Sequence, residues 1–126
     1  MGISQAKSKR SPTGKRLNDY RKKKQFETGK LPVLTKIGQT KKKITRTIGG
    51  NSKEMLLNVE FVNVLDPKNK TSSKAKLLNV LENEANRNFI RRNILTKGTI
   101  VKTEKGKVKI TNRPGQEGTV NGILVE

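Results

Sequence analysis

The sequence of 126 residues contains no cysteine and no histidine, and only 10 of its residues are aspartate or glutamate. Without cysteine it can form neither a disulfide framework nor a thiolate metal site. Without histidine it lacks the commonest general base and the commonest metal ligand of proteins. Its serine and threonine hydroxyls therefore have no obvious activating partner. We expect a protein that is not an enzyme and that holds neither a metal nor a cofactor.

Long apolar runs are missing as well. No stretch approaches the roughly 20 apolar residues of a membrane-spanning helix, and no apolar signal core follows the basic start of the chain. Residues 1–30 also lack the stripe of large apolar residues that an arm lying on a membrane surface would carry. We therefore expect a soluble intracellular protein with no membrane partner and no small-molecule substrate.

Positive charge dominates the composition. Lysine and arginine number 29, which gives a formal net charge of +19, whereas solubility alone needs a net charge of about 2 to 8 in magnitude. The charge is uneven, because residues 1–46 hold 15 of the 29 cations and 2 of the 10 anions. Such an excess predicts a polyanionic partner, and nucleic acid is the first choice.

The pattern divides the chain into a basic arm, residues 1–40, and a β-rich core, residues 41–126. The long, extended arm has no apolar period, so we expect it to be disordered when free, with a possible short helix at 19–28. The segment 31–37 contains Pro32, and we therefore expect an extended connector there and not a central strand.

From residue 41 onward the apolar residues recur with the period of β-strands. The predicted strand segments are 41–48, 54–65, 74–82, 99–111 (a hairpin closed at Lys105-Gly106) and 119–126. Strong turn signals stand at 49–51 and 66–69. A short helix is predicted within 82–93, with Asn83 as its N-cap. Short strands at this spacing predict a mostly β fold, either a small antiparallel β-barrel or a sandwich.

The cations near the start of the chain are interleaved with aromatic rings and glycines. Tyr20 and Phe26 flank the four consecutive cations at 21–24, and an aromatic ring can stack on an unpaired base. The basic run continues into the first core strand through Lys41, Lys42, Lys43 and Arg46. This pattern favours a nucleic-acid-binding arm over a passive solvated tail.

A second group of cations lies in the core. Arg87, Arg91 and Arg92 are close together on or near the predicted helix, and Arg113 lies in a loop before Pro114. The planar guanidinium of arginine can bind a phosphate with two hydrogen bonds, unlike the lysine ammonium group. Lysine outnumbers arginine 21 to 8 in this chain, so three arginines close together stand out. These four are candidate nucleic-acid contacts, with ordinary solvated surface residues as the alternative.

The kind of nucleic acid is indicated by what the sequence lacks. It shows no helix-turn-helix pattern and no leucine zipper, and a zinc finger is excluded without cysteine and histidine. A sheet-rich core with an extended basic arm suits an irregular, folded RNA better than a regular duplex groove. The alternative is an architectural, chromatin-like DNA-binding protein.

Five motifs, in order and spacing, resemble the archaeal and eukaryotic small-subunit ribosomal protein family S-eight-e. They are KSKRSPTGKR (7–16), YRKKKQFETGK (20–30), TKIG (35–38), RTIGGN (46–51) and NRPGQEG (112–118). The length, without insertions, resembles the archaeal form. The resemblance implies a structural constituent of the small ribosomal subunit, cytoplasmic in the ribosome. Its implied partners are small-subunit ribosomal RNA and neighbouring small-subunit ribosomal proteins, without catalysis or cofactor.

Carried over by position, the resemblance implies RNA contacts in the arm and connector and a tight turn close to the RNA backbone at the double glycine. These residues are Lys7, Lys9, Arg10, Lys15, Arg16, Arg21, Lys22, Lys23, Lys24, Lys30, Lys36, Gly49 and Gly50. The charge pattern adds Lys41, Lys42, Lys43, Arg46, Arg87, Arg91, Arg92 and Arg113 to the candidate RNA-binding set.

The sequence departs from the family pattern around the double glycine. Family members tend to have cations there, whereas this chain has Ile48, Ser52, Met55 and Asn58. Three alternatives therefore stay open for the hairpin 46–58: it grips RNA, it contacts a neighbouring protein, or it is locally looser.

Overall fold

The structure is a computed structural model that describes residues 2–5 and 7–125, so residues 1, 6 and 126 of the predicted arm and core lie outside it. The chain forms two compact units, Met1–Pro32 and Val33–Glu126. The strands are β1 (Ile3–Ser4), β2 (Thr28–Gly29), β3 (Thr35–Ile37), β4 (Lys41–Arg46), β5 (Ser52–Val59), β6 (Phe61–Asp66), β7 (Thr71–Glu82), β8 (Ile94–Leu95), β9 (Ile100–Thr103), β10 (Gly106–Ile110) and β11 (Asn121–Val125). The short helix α1 (Asn88–Arg91) follows β7, and 3₁₀ turns stand at Gln25–Glu27 and Ile48–Gly50.

The first unit is held by two small antiparallel pairings. Strand β1 pairs with β2 through Ile3 opposite Gly29 and Ser4 opposite Thr28. Between them the chain forms a hairpin in which Arg10 pairs with Arg16. Its turn is closed by a hydrogen bond from the Gly14 N–H to the Ser11 carbonyl, 2.9 Å long. Gly14 has a φ of 85°, a conformation that favours glycine.

The helix predicted at 19–28 is reduced to the single 3₁₀ turn Gln25–Glu27. The Glu27 carboxylate accepts the Lys24 N–H at 3.0 Å, which caps this turn. Lys24 itself has extended backbone angles, and Thr28 after the turn is again extended. Two forces oppose a longer helix: four consecutive cations repel one another along it, and residues 28–29 pair with β1.

Five strands of the second unit close into a β-barrel in the order β10-β11-β6-β7-β9. Alternate side chains point inward and are buried, among them Val62 and Val64 on β6, Val101 on β9 and Val108 on β10. The strand pairs are antiparallel except β6 with β11, which run parallel. The predicted mostly β fold with a barrel and a short helix is confirmed.

The remaining strands of the second unit form a four-stranded sheet in the order β4-β5-β3-β8. Strand β3 lies between the parallel β5 and the antiparallel β8, so the prediction of a connector without a central strand at 31–37 is wrong for residues 35–37. Pro32 has no backbone N–H to donate, but it lies before β3, so the strand keeps all of its hydrogen bonds to its neighbours. The Thr35 side chain is fully buried, and its hydroxyl donates to the Leu56 carbonyl at 2.7 Å.

The strand predicted at 54–65 is two strands, β5 and β6, which belong to different sheets. A bulge opposite Lys41 and Lys42 shifts the alternation of β5, so both Leu56 and Val59 are buried. The chain then bends at Glu60, and the buried side chains continue at Val62. Strict alternation fails here because the chain passes from one sheet to the other.

Two local predictions in the second unit need correction. Asn83 caps no helix: its side-chain oxygen accepts the Ala85 N–H at 3.0 Å, which forms a turn, and α1 starts only at Asn88. The hairpin predicted at 99–111 is present as β9 and β10, but it turns at residues 104–105. Gly106 is the first residue of β10, with a φ of 124°.

Candidate nucleic-acid interface

Every candidate cation is exposed to solvent, as are Gly49 and Gly50. The candidates from Lys7 to Lys30 lie in the first unit, and those from Lys36 onward lie in the second. The two groups are organised by different local structures, since the first uses short hairpins and turns and the second uses the strands of the core.

The hairpin of residues 9–17, here called the arginine hairpin, concentrates four cations. Arg10 and Arg16 are paired directly, and hydrogen bonds of 2.9 and 2.8 Å join Ser11 to Lys15 and Leu17 to Lys9. Like charges directly opposite each other weaken a strand pair. The arginine hairpin therefore holds a density of positive charge that a bound phosphate would offset.

A second cluster of the first unit, the Arg21 cluster, consists of Tyr20, Arg21, Phe26 and Glu27. The Arg21 Nε donates a hydrogen bond of 2.7 Å to the Tyr20 hydroxyl, and its guanidinium forms an ion pair with the Glu27 carboxylate. The same guanidinium lies 5.2 Å from the Tyr20 ring centroid and 5.8 Å from that of Phe26. The hydrogen bond to Tyr20 raises the pKa of Arg21, and the charge of Glu27 adds to this. Arg21 thus organises its neighbours, whereas the side chains of residues 22–24 are exposed and, among the described residues, have no such partners.

Strand β4 carries the candidates Lys41, Lys42, Lys43 and Arg46 along the edge of the four-stranded sheet. Lys42 lies 3.5 Å from the Glu54 carboxylate of β5. Charged residues on an edge strand also prevent pairing with other strands, so this row has a structural use besides any contact with phosphate.

The turn predicted at the double glycine is present at the tip of the β4–β5 hairpin. Gly49 and Gly50 have φ values of 76° and 79°, which explains why glycine occupies both positions. The Thr47 N–H closes the tip by donating to the Asn51 carbonyl at 2.6 Å. Ile48 is 95% exposed at this tip, and Ile44 on β4 is also largely exposed. The tip therefore presents an apolar side chain close to the cations of β4.

The arginines of the core are spread over two loops. Arg87 precedes α1, Arg91 is its last residue and Arg92 follows it, so all three lie on or next to the short helix. Arg113 lies in the loop between β10 and β11, where its carbonyl accepts the backbone N–H groups of Gln116 and Glu117. In the described part of the chain no ion pair engages these four arginines.

Five lysines on the outer face of the barrel were missed by the sequence reasoning: Lys74, Lys76, Lys102, Lys107 and Lys109. Lys102 and Lys107 lie directly opposite each other on β9 and β10. Lys76 and Lys109 have acidic neighbours at 3.3 and 3.9 Å, and Lys74 lies 4.5 Å from the Phe61 ring centroid. The signal was the spacing KAK and KVK, which puts both lysines of each triplet on one face of a strand.

Residues 2–5 and 7–125 contain neither a cluster of metal ligands nor a membrane-spanning helix. No group of three or more carboxylates comes together there in a way that could hold a metal ion. No helix in the same residues has the length and apolar character needed to cross a membrane.

Comparisons with known proteins bear on this basic surface. The family model Ribosomal protein S8e matches residues 4–125. A relative from Methanocorpusculum labreanum, named small ribosomal subunit protein eS8, is 48% identical over 122 residues, which cover 97% of this chain and 98% of the relative. Relatives of the same name from Methanococcus aeolicus and Picrophilus torridus are 48% and 41% identical, each over 99% of this chain and 98% and 100% of the relative.

Proposed function

The chain belongs to the ribosomal protein S8e family, and we propose that it binds small-subunit ribosomal RNA through the exposed cations of both of its units. It is a structural constituent of the small ribosomal subunit and not an enzyme. The archaeal relatives support this role over nearly their whole length. We infer which residues touch the RNA from their charges, exposure and local geometry.

The observation that carries the proposal is the excess of cations over acidic partners in the first unit. Within its described residues, ion pairs join Lys9 to Asp19 at 3.9 Å and Arg21 to Glu27. Both acidic residues of the unit are thereby used, and the other cations face solvent. The phosphate groups of a folded RNA can neutralise these unpaired cations, and a long cationic segment can lie between several phosphates.

The partners include neighbouring ribosomal proteins as well as RNA. At the tip of the β4–β5 hairpin Ile48 is almost fully exposed, and the adjacent glycines carry no side chains. An exposed isoleucine gains free energy when an apolar surface covers it and gains little from a phosphate. Of the three alternatives for this hairpin, the geometry supports contact of its tip with a neighbouring protein.

The test measures affinity for a small-subunit ribosomal RNA transcript between 50 and 200 mM salt. For wild type, log K should fall linearly with log salt, with a loss of about 10³- to 10⁵-fold if 6 to 10 phosphates are neutralised. Replacing Lys22, Lys23 and Lys24 by Gln should reduce the slope by about 0.7 to 0.9 for each phosphate that the variant no longer neutralises. The matched control is Lys97→Gln, an exposed lysine outside the candidate set.

Two outcomes would count against the proposal. One is a salt slope that the triple variant reduces no more than the Lys97 control does, because the 22–24 cations would then have no special contact. The other is preference for duplex DNA over the RNA transcript in a competition at one salt concentration, since that outcome favours an architectural DNA-binding protein.

A further inference from the structure

The first unit contains a cleft of about 770 Å³ beside Tyr20. Its walls include Lys7, Lys9, Leu17, Asn18, Asp19 and Tyr20. Clefts of roughly 300 to 1,000 Å³ are typical of small-molecule sites. The cleft thus combines two lysines, two carboxylates (Asp19 and Glu27), the amide of Asn18, an aromatic ring and an apolar side chain.

The Tyr20 ring is both held in place and open. Its hydroxyl accepts the hydrogen bond from Arg21 Nε, and Arg21 is itself paired with Glu27. Tyr20 is nevertheless 88% exposed. A ring that is fixed by its neighbours loses little conformational freedom when a second flat group stacks on it.

We propose that this cleft binds one unpaired nucleotide of the RNA, with its base stacked on Tyr20 and its phosphate beside Lys7 and Lys9. The inference rests on the proposed function and specifies what one part of the surface recognises. Arg21 is then a positioning residue, which orients the ring and leaves the phosphate to the two lysines.

Of the two polar side chains beside Tyr20, the Asp19 carboxylate can select among the bases, because the Asn18 amide both donates and accepts hydrogen bonds. Asn18 and Asp19 stand beside Tyr20 in the lining, so they can reach the edge of a stacked base. A carboxylate accepts hydrogen bonds, and adenine, cytosine and guanine offer an exocyclic amino group. Uracil presents two carbonyl acceptors beside its one N–H, and it fits this edge less well. The weak pairing of Asp19 with Lys9, 3.9 Å apart and exposed, costs little to rearrange.

Charge decides between an RNA nucleotide and an apolar ligand. The cleft is lined by two lysines and by both carboxylates of the first unit, Asp19 and Glu27. These carboxylates are paired with Lys9 and Arg21, and the unit carries ten lysines and arginines in all, which favours an occupant with a phosphate. Stacking also requires a base that is not already paired in a duplex. An unpaired residue of a folded RNA satisfies both conditions.

The sequence supplies a direct probe, because Tyr20 is the only tyrosine and there is no tryptophan. Tyrosine emission of the full chain therefore reports on this ring alone. We expect a single-stranded RNA to quench it, while a fully paired RNA duplex of the same length quenches it much less. Free tyrosine amide in the same RNA solutions corrects for light absorbed by the bases.

Variants separate stacking from charge. Tyr20→Leu should weaken binding of the RNA transcript by about 5- to 150-fold, the reduction expected for one stacked base, with an unchanged salt slope. Tyr20→Phe should keep most of the affinity, because it keeps the ring. Phe26→Leu is the matched control, since Phe26 is 81% exposed and touches Arg21 but does not line the cleft.

The outcomes distinguish this inference from the proposed function. Equal quenching by single-stranded and duplex RNA, or a Tyr20→Leu variant that binds like wild type with the same salt slope, overturns the nucleotide site and leaves the RNA-binding function standing. A weakening for Tyr20→Leu that Tyr20→Phe shares equally also overturns it. Failure of wild type to bind the transcript at low salt overturns the proposed function itself.

Discussion

Arg10 and Arg16 lie directly opposite each other across an antiparallel bridge, although both side chains are positively charged. The hydrogen bond from Leu17 to Lys9 and the Ser11–Gly14 turn hold the two strands together against this repulsion. A guanidinium can bind a phosphate with two parallel hydrogen bonds, so one phosphate between the arginines would turn repulsion into attraction. A phosphate bound there would therefore make the arginine hairpin more stable than it is alone.

Replacing Arg16 by Gln should change binding and local stability in opposite directions. RNA affinity should fall, with the salt slope reduced by about 0.7 to 0.9 because one phosphate is no longer neutralised. In the free protein the hairpin should become more stable, because the like-charge pair is gone, and the Leu17 amide should exchange more slowly. Salt titration and amide hydrogen exchange measure the two effects. Faster exchange combined with an unchanged slope would contradict the role of this pair.

Any side chain at Gly122 should destabilise the barrel. This glycine is buried on β11, and a Cβ there would overlap the Val108 side chain and approach the Lys109 carbonyl oxygen at 3.0 Å. Gly122→Ala should lower the free energy of unfolding by about 1 to 3 kcal/mol, as measured by urea denaturation. Combining it with Val108→Ala makes room for the methyl group, so the double variant should be destabilised by less than the sum of the two single variants. Full additivity would show that the overlap with Val108 is not the cause.

Asp66, in the turn between β6 and β7, should make the free energy of unfolding depend on pH in the acid range. Asp66 accepts hydrogen bonds from the Lys68 N–H at 3.0 Å and the Asn69 side chain at 2.8 Å, and the bond from Lys68 is the main cause that lowers its pKa. A lowered folded pKa means that this stabilisation is present above the unfolded value of about 4 and disappears as the pH falls through the folded value. Asp66→Ala should therefore be less stable than wild type at pH 7, and the difference should shrink in acid.

Asp66→Asn provides the matched control for that titration. The amide oxygen still accepts the Lys68 N–H but carries no charge to titrate. The difference in unfolding free energy between the Asn and Ala variants should stay constant as the pH falls, unlike the difference between wild type and Ala. If the difference in unfolding free energy between wild type and Asp66→Ala is equally constant with pH, titration of Asp66 is not the cause of the pH dependence.

The exposed tip of the β4–β5 hairpin gives a prediction about assembly. Ile48→Ser should leave the free energy of unfolding within about 0.5 kcal/mol of wild type and should leave affinity for the naked RNA transcript unchanged. If the tip contacts a neighbouring protein as proposed, the occupancy of the variant in reconstituted small subunits should nevertheless fall, because the apolar side chain for that contact is gone. Leu78→Ser, at an apolar position of the barrel that is 49% exposed, is the control. Reduced affinity for naked RNA would instead assign the tip to RNA.

The barrel could be predicted from the sequence to a large extent because most of its strand segments bury every second residue. Strand β7 departs from this after Leu77, where the next buried residue is Val80. Ala75 and Leu77 on β7 and Val108 and Ile110 on β10 are buried at every second position, and the residues between them are lysines or other exposed residues. Each strand buries one face, so the pattern is visible within a few residues. The same reasoning places the cations of residues 7–46 on the surface.

What the sequence could not show depends on distant partners. Thr35 becomes a central, buried position only because β5 and β8 pair on both sides of it, and nothing within residues 31–37 signals that. The bend at Glu60 likewise reflects passage between two sheets. Among the candidate RNA contacts, Arg21 forms an ion pair with Glu27, and this ion pair competes with binding of Arg21 to phosphate. Lys102 and Lys107 lie opposite each other because of the register of the β9–β10 hairpin. Such relations arise from tertiary structure, which single-sequence patterns do not contain.

Strand β11 has a consequence for the order in which the protein matures. Residues 121–125 sit between β6 and β10, so the barrel stays open until translation has passed them. A nascent chain that stalled earlier would leave Val64 and Ile110 exposed to water and the edges of β6 and β10 unpaired. Such a chain would be prone to aggregation or degradation. The basic segment, by contrast, emerges first and can meet its polyanion while the rest is still being made. The closed barrel can thus form only after residues 121–125 have been synthesised.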